Sequence, residues 1–248
     1  FDNNISIVTC NKKGNSSSYE QYTKFKRLAK KNNVNFLYET NVGAGLPIIK
    51  TLNDLWISGD EILKIEAILS GTISYIFNNY VGDKTFAEVV RTAQELGYTE
   101  PDPRDDLNGM DFSRKMLILG REIGLPLEMS DVNIKDFLPD ACLKAESIPA
   151  FYEELEKHEP YFSSFKKEAE NSGRKLRLIG VLEDGKINIE VQIVDADHPF
   201  FGLSGSDNII SFTTSRYKNT PLVVKGPGAG AEVTAAGVFA DLVRVTAQ

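Results

Sequence analysis

Only two cysteines, two histidines and one tryptophan occur in the 248 residues. Cys10 and Cys142 stand far apart, so they read as reduced thiols in a cytoplasmic setting rather than as a disulfide framework. His158 and His198 lie in unrelated contexts, which argues against a histidine zinc site. No apolar run approaches the roughly 18 residues that a membrane helix needs. No secretory signal pattern is seen either. Positive charge is also short: 28 Lys and Arg against 35 Asp and Glu leave a net charge of −7. That balance argues against nucleic acid or an anionic membrane as the main partner. Internal repeats and low-complexity tracts are absent. What remains is a globular composition with ample material for a core. The chain opens at Phe1, directly ahead of an apolar strand, and reads as part of something longer.

The chemistry concentrates between Glu95 and Lys115. Pro101 and Pro103 forbid a helix through the first half and fix a turn-rich loop. After Asn108-Gly109, the residues Met110, Phe112, Met116, Leu117, Leu119 and Ile123 form an apolar helical face, ended by Gly124 and Pro126. Asp111 and Lys115 are four apart, hence about 40° apart around the axis and on one side of that helix. Glu100, Asp105 and Asp106 sit on the loop that feeds it. Such carboxylates can hold an ammonium group while the lysine gives a proton. The competing reading is a solvated acidic loop with an ordinary i,i+4 ion pair.

Around this stretch the pattern is α/β. Ile5–Thr9 and Val34–Tyr38 read as strands flanking a helix from Tyr19 to Asn32, half of a nucleotide-binding fold without its Gly-rich phosphate turn. Lys12 lies in the loop after the first strand, where such sheets bind ligands, or is simply a solvated lysine. The turn Glu39-Thr-Asn-Val-Gly-Ala-Gly-Leu-Pro47 offers one carboxylate and several carbonyls, the ligand set of a hard cation such as Na⁺, or else a plain strand-to-helix turn. A helix over 48–58 follows, then a strand over 62–69 and a helix after Ser70-Gly71-Thr72. There Gly71 allows close approach to the backbone, and Thr72 can cap the helix or bind a carboxylate. Thr85 caps a helix from Phe86 to Leu96. Residues 127–173 read as helical with interruptions at Pro139 and Pro149. Leu176–Leu182 and Ile187–Val194 form a hairpin around Glu183-Asp-Gly. Strands at Asn208–Thr214 and Pro221–Lys225 follow. A Gly-rich turn at 226–230 then opens a small-residue helix suited to close packing or to an anion at its N-terminus.

Five blocks taken in order resemble homoserine dehydrogenase. They are Asn-Lys-Lys at 11–13, Tyr-Glu-Thr-Asn-Val-Gly-Ala-Gly-Leu-Pro-Ile-Ile at 38–49, Ile-Leu-Ser-Gly-Thr-Ile-Ser-Tyr-Ile-Phe at 68–77, the stretch 96–115, and Gly-Pro-Gly-Ala-Gly-Ala-Glu-Val-Thr-Ala-Ala-Gly-Val-Phe-Ala-Asp at 226–241. The wording is most similar to the dehydrogenase part of bifunctional aspartokinase–homoserine dehydrogenases. The resemblance implies interconversion of aspartate 4-semialdehyde and homoserine with NADP or NAD, in threonine and methionine biosynthesis. It also implies that Lys115 is the acid–base residue and that Lys12 lies near cofactor and reacting carbonyl. Glu100, Asp106 and Asp111 then hold the substrate's amino group and orient Lys115, with Gly71, Thr72 and Tyr98 as further substrate contacts. Asn11, Lys12, Gly228 and Gly230 fall at cofactor positions. Glu39 with the carbonyls of Val42, Ala44 and Leu46 matches a monovalent-cation site. A homodimer and fusion to an aspartokinase are implied as well.

The expected organisation is therefore an α/β chain: residues 1–38 a remnant of a Rossmann-type cofactor-binding domain, 39–228 a substrate and dimerisation domain with a mixed sheet covered by helices, and 229–248 a helix returning to the first. The family's Gly-rich fingerprint is expected upstream of Phe1. Pairing is expected through Ile187–Val194 and Asn208–Thr214, read as apolar strands without a covering helix. Two rival functions follow from the same residues: a substrate-binding and dimerisation module without activity of its own, and a metal-dependent hydrolase using Glu100, Asp105, Asp106 and Asp111. Lys115 among those carboxylates opposes the second by repelling a dication.

Overall fold

The computed structural model describes residues 1–135 and 137–246. Position 136, inside the stretch expected to be helical, and 247–248, the end of the expected last segment, lie outside the described residues. Strand β1 (Ile7–Val8), helix α1 (Tyr19–Lys31) and strand β2 (Phe36–Leu37) come first, with β1 and β2 parallel. The strands are shorter than their apolar runs. Ser18 caps α1 by accepting the Gln21 N–H, and Glu20 in the first turn with Lys30 and Lys31 in the last oppose the helix dipole. A 3-10 turn, Glu39–Asn41, leads to α2 (Ile49–Ile57).

Next come β3 (Ile62–Ile68), α3 (Gly71–Asn79), α4 (Phe86–Glu95), the short α5 (Arg104–Leu107) and α6 (Met110–Glu122). Ser70, rather than the expected Thr72, caps α3 by accepting the Ile73 N–H at 3.2 Å, since Thr72 already lies inside the helix; Thr85 with Glu88 forms a capping box on α4. Then follow β4 (Val132–Ile134), α7 (Asp140–Leu143), α8 (Ile148–Lys157), α9 (Glu159–Asn171), β5 (Lys175–Glu183), β6 (Lys186–Val194), β7 (Asn208–Thr214), β8 (Leu222–Gly226) and α10 (Ala231–Thr246). Strand β4 corrects the all-helical expectation for 127–173. Pro149 also fails to interrupt: it sits in the first turn of α8, where its missing N–H has no partner to lose.

The main sheet has the order β4-β6-β5-β3-β7-β8 and is mixed, with β4 parallel to β6 and the other pairs antiparallel. Ile65, Ala67, Leu178, Leu182, Ile187, Ile189, Ile210 and Phe212 share one core with helical residues such as Phe112, Met116, Phe86 and Phe151. Gly180 of β5 brings α6 close: a Cβ there would lie 2.9 Å from Met116 Cγ and Phe112 Cε2. On the opposite face, Ile68, Ile179, Val194 and Ile209 pack under Phe200 and Leu203 from the loop between β6 and β7. The premise that β6 and β7 lack cover is thereby corrected. Both are interior strands with most of their apolar residues buried, Val191 and Ile193 only partly, and the sheet's edges are β4 and β8.

Helix α10 packs on the 39–45 segment through two glycines. A Cβ at Gly237 would lie 2.5 Å from Thr40 Cγ2, and one at Gly45 would lie 2.6 Å from the Val233 carbonyl. Asp241, buried in the contact, accepts the Glu39 N–H at 3.0 Å and pairs with Arg244 at 2.6 Å. The small-residue pattern of this helix thus has a packing cause.

Candidate active site

Helix α6 begins at Gly109, whose φ of 72° is open to glycine at little cost and turns the chain out of α5. That turn places Asp111 and Lys115 on the side facing the loop after β1. Lys115 Nζ lies 2.7 Å from Asp111 Oδ2 and donates to the Leu69 carbonyl at 2.7 Å. Lys12 reaches the other oxygen of the same carboxylate, at 3.2 Å. Asp111 therefore bridges a lysine of its own helix and one from the loop after β1.

The electrostatics follow from burial and this pairing. Burial opposes ionisation of Asp111, but Lys115 and Lys12 outweigh it and hold the carboxyl below its ordinary range. For Lys115 burial wins: the ammonium is pushed below the usual lysine range, although Asp111 pulls the other way. An ammonium with a lowered pKa is a better proton donor near neutrality than a solvated lysine.

Asp106 on α5 forms a second node. Its Oδ2 accepts the Glu100 N–H at 2.8 Å, and its Oδ1 lies 3.0 Å from Thr72 Oγ1. Thr72 Oγ1 is also 2.6 Å from the Tyr98 carbonyl, so one hydroxyl proton faces two acceptors. Burial raises the Asp106 pKa, against the Glu100 and Thr72 hydrogen bonds. A neutral Asp106 would donate to Thr72 and let Thr72 serve the carbonyl. Beside it, Asp102 grips Arg104 at 2.9 and 3.1 Å, and Arg104 also donates to the Ala145 carbonyl. These two residues brace the Pro-Asp-Pro loop.

A cleft of about 430 Å³ joins these groups: Lys12, Glu100, Asp105, Asp106, Asp111 and Lys115 on one side, and Gly43, Ala44, Gly228 and Gly230 on the other. Cys10, Thr40, Ser70, Phe112 and Thr234 also line it and were not singled out from the sequence. Ser70 and Thr234 had a signal, as a helix cap and a first-turn residue; Cys10 had none. Several expected contacts stand off the wall. Gly71 faces the Ser206 carbonyl, and a Cβ there would lie 3.2 Å from it. The Tyr98 ring stacks on Tyr75 with centroids 4.3 Å apart, leaving its carbonyl on Thr72. Asn11 Oδ1 accepts the Lys13 N–H at 2.8 Å.

Glu39 is turned toward α2. Its carboxylate accepts N–H groups from Ile49 at 2.8 Å and Lys50 at 3.0 Å, capping a helix that has no side-chain cap of its own. The Leu46 carbonyl accepts the Ile48 N–H at 2.9 Å. Val42 is fully buried and Ala44 nearly so. Among the described residues, no three His, Cys, Asp or Glu side chains converge as metal ligands, and no helix is long and apolar enough to cross a membrane.

Residues 47–243 match the family model described as homoserine dehydrogenase. An Arabidopsis thaliana bifunctional aspartokinase/homoserine dehydrogenase 2, named as chloroplastic, is 49% identical over 243 residues, covering 97% of this chain and 26% of that protein. The chain thus spans about a quarter of the length of such bifunctional relatives. A Schizosaccharomyces pombe homoserine dehydrogenase is 44% identical over 252 residues, covering 98% of this chain and 67% of its own length. A hyperthermophilic archaeal homoserine dehydrogenase solved in complex with NADPH superposes with a TM-score of 0.73 at 26% identity, covering 98% of this chain and 65% of that one. With four-fifths of its length under one family model, the chain belongs to the homoserine dehydrogenase family.

Proposed function

We propose that the cleft interconverts L-homoserine and L-aspartate 4-semialdehyde, with NADPH or NADH as hydride donor. The observation that carries this is the placement of Asp111 between Lys12 and Lys115, across the cleft from the glycines that open α10. The cleft's far wall fits the nicotinamide end of a dinucleotide. It offers the N-terminal N–H groups of α10 and Thr234, and behind them the buried Thr40 Oγ1, which has no hydrogen-bond partner. Asn11 and Lys12 would complete that side. When bound, the reduced cofactor supplies a hydride to the aldehyde carbon.

The residues of the chain do the rest. Asp106 and Glu100 hold the substrate's ammonium, with Thr72, Gly71 and Tyr98 shaping that end. Lys115 gives a proton to the oxygen that gains the negative charge, and Lys12 stabilises that charge from the other side of Asp111. Asp111 keeps both lysines in place and opposes the loss of the Lys115 proton that burial favours. In the reverse direction, neutral Lys115 takes the hydroxyl proton of homoserine. A substrate lacking the amino group leaves Asp106 and Glu100 without a partner and should react poorly.

We take residues 1–38 and 229–248 as belonging to the cofactor-binding part and 39–228 to the substrate part. The whole protein is proposed to carry an aspartokinase, as the bifunctional relatives' names indicate. Two free cysteines fit a reducing compartment such as the cytoplasm. Two copies pairing through the sheet of the substrate part would cover Val223 on β8, which is exposed. A monomer by sedimentation at tens of micromolar contradicts that. A monovalent cation at Val42, Ala44 and Leu46 would have to share Glu39 with α2, and equal activity in sodium and tetramethylammonium salts contradicts it.

The loop between β1 and α1 has a single glycine, Gly14, and this favours a second reading in which the chain alone binds substrate without turning over. Formation of reduced nicotinamide from homoserine, followed by absorbance, tests the first reading. NADPH binding to this chain, followed by fluorescence, separates the two.

A further inference from the structure

Away from the cleft, a pocket of about 160 Å³ lies where the end of α3, the end of α9 and the start of β5 meet. Its wall carries four cations, Lys166, Arg174, Lys175 and Arg177, and one carboxylate, Glu170. Two of the cations are more than nine-tenths buried: Arg177 is 3% exposed and Lys166 is 6% exposed. Neither has a carboxylate within ion-pair distance among the described residues. The Arg177 guanidinium donates to the carbonyls of Leu176, Phe200, Phe201 and Leu203 at 2.8 to 3.2 Å. Lys166 Nζ donates to the carbonyls of Gly82 at 2.8 Å and Lys84 at 2.6 Å, above the Tyr80 ring.

Carbonyl dipoles satisfy donors but leave the charge uncancelled, and burying a cation without an opposite charge is costly. Burial alone pushes Arg177 down to about 10, which records that cost. The remaining charges do little to offset it. Arg174 is held loosely by Asp195, at 3.7 Å, and Lys175 lies over the Phe201 ring at 4.6 Å. Glu170, which accepts the Gly82 N–H at 2.8 Å, is one negative charge on the wall against four positive ones. Structural burial of one arginine needs no pocket beside it. Two buried cations without a direct carboxylate partner lining the same pocket, with two more exposed ones at its rim, make a receptor for negative charge.

We propose that this pocket binds a compact oxyanion, the carboxylate or phosphate group of a small molecule, at a site separate from the catalytic cleft. Its wall shares no residue with that cleft. Helix α3 joins the two, since its first turn carries Thr72 against Asp106 and its last turn lines the pocket.

Calorimetric titration of the protein with inorganic phosphate and with acetate, against sodium chloride at equal ionic strength, tests the proposal. The expected result is saturable binding of phosphate or acetate, weakened about ten-fold or more in the double variant Arg174→Gln/Lys175→Gln. Those two side chains are not part of the core, so the variant should fold; a circular dichroism melt checks this. Tighter binding of phosphate than acetate points to a phosphate ester, and the reverse to a carboxylate. Binding no different from chloride overturns the proposal. So does saturable binding that survives in the double variant, or that is lost instead in Lys12→Gln, which would place the anion in the cleft.

Discussion

Arg121 Nη1 donates to the carbonyl of Asn15 at 2.8 Å. It donates equally to that of Ser17, at 2.8 Å, while Nε and Nη2 hold the Leu127 carbonyl at 2.9 and 2.8 Å. Helix α6 therefore grips the loop that carries Lys12 at both ends, through Asp111 at its start and through Arg121 about 15 Å further along. The next residue, Glu122, is also buried, and it accepts from Tyr22, Tyr38 and Asn53 at 3.0, 2.5 and 2.9 Å.

Replacing Arg121 by lysine keeps the charge but loses the fork of donors. Turnover should fall about ten-fold as Lys12 loses its register with Asp111, while KM for homoserine changes less, because Asp106 and Glu100 do not depend on that loop. Steady-state kinetics check this. A matching loss in KM alone would assign Arg121 to the substrate side.

Opposite pH limbs are expected for the two directions. Lys115 has a lowered pKa, so its protonated form is lost as pH rises through a value below the ordinary lysine range. Reduction of the aldehyde, which needs the ammonium, should decline there, and oxidation of homoserine, which needs the free amine, should rise. Asp106, raised by burial, gives the acid limb. Above that pKa its carboxylate attracts the substrate's ammonium, and as pH falls through it KM should increase. Asp106→Asn should raise KM above that pKa, where the wild-type carboxylate is charged, and flatten this limb. Initial rates between pH 5 and 10 in both directions provide the measurement.

Gly180→Ala should destabilise the fold by about 1–3 kcal/mol, since the added Cβ meets Met116 and Phe112 at 2.9 Å and α6 must shift. Urea denaturation measures the loss. Activity should fall more than stability requires, because the same helix carries Asp111 and Lys115.

Local chemistry was legible in the chain; long-range pairing was not. Thr85 announced its helix, and Asp184-Gly185 announced the hairpin, where the structure finds φ of 50° and 72°, whereas the caps Ser18 and Ser70 were not read from the chain. Asp111 and Lys115 showed themselves by helical spacing. Strand β4 is three residues long and exists because Ile187–Ile189 of β6 pair with it, which no local pattern reveals. Ser147 caps α8 ahead of Pro149, turning an apparent breaker into a helix start. In the site, Lys12 meets Asp111 across almost a hundred positions, and Leu69 contributes through its carbonyl, which any residue possesses. Glu39 illustrates the same limit, because its use as a cap depends on where α2 begins.

The most direct test of the account is turnover in Lys115→Ala, Asp111→Ala and the double variant of the full-length enzyme. If Lys115 gives the proton and Asp111 holds it there, each single change should lower kcat by about 10² to 10⁴. The double variant should then be little worse than the weaker single one, because both changes remove the same step. Near-normal kcat in Lys115→Ala, or losses that simply add, would contradict the central claim and move the proton donor elsewhere.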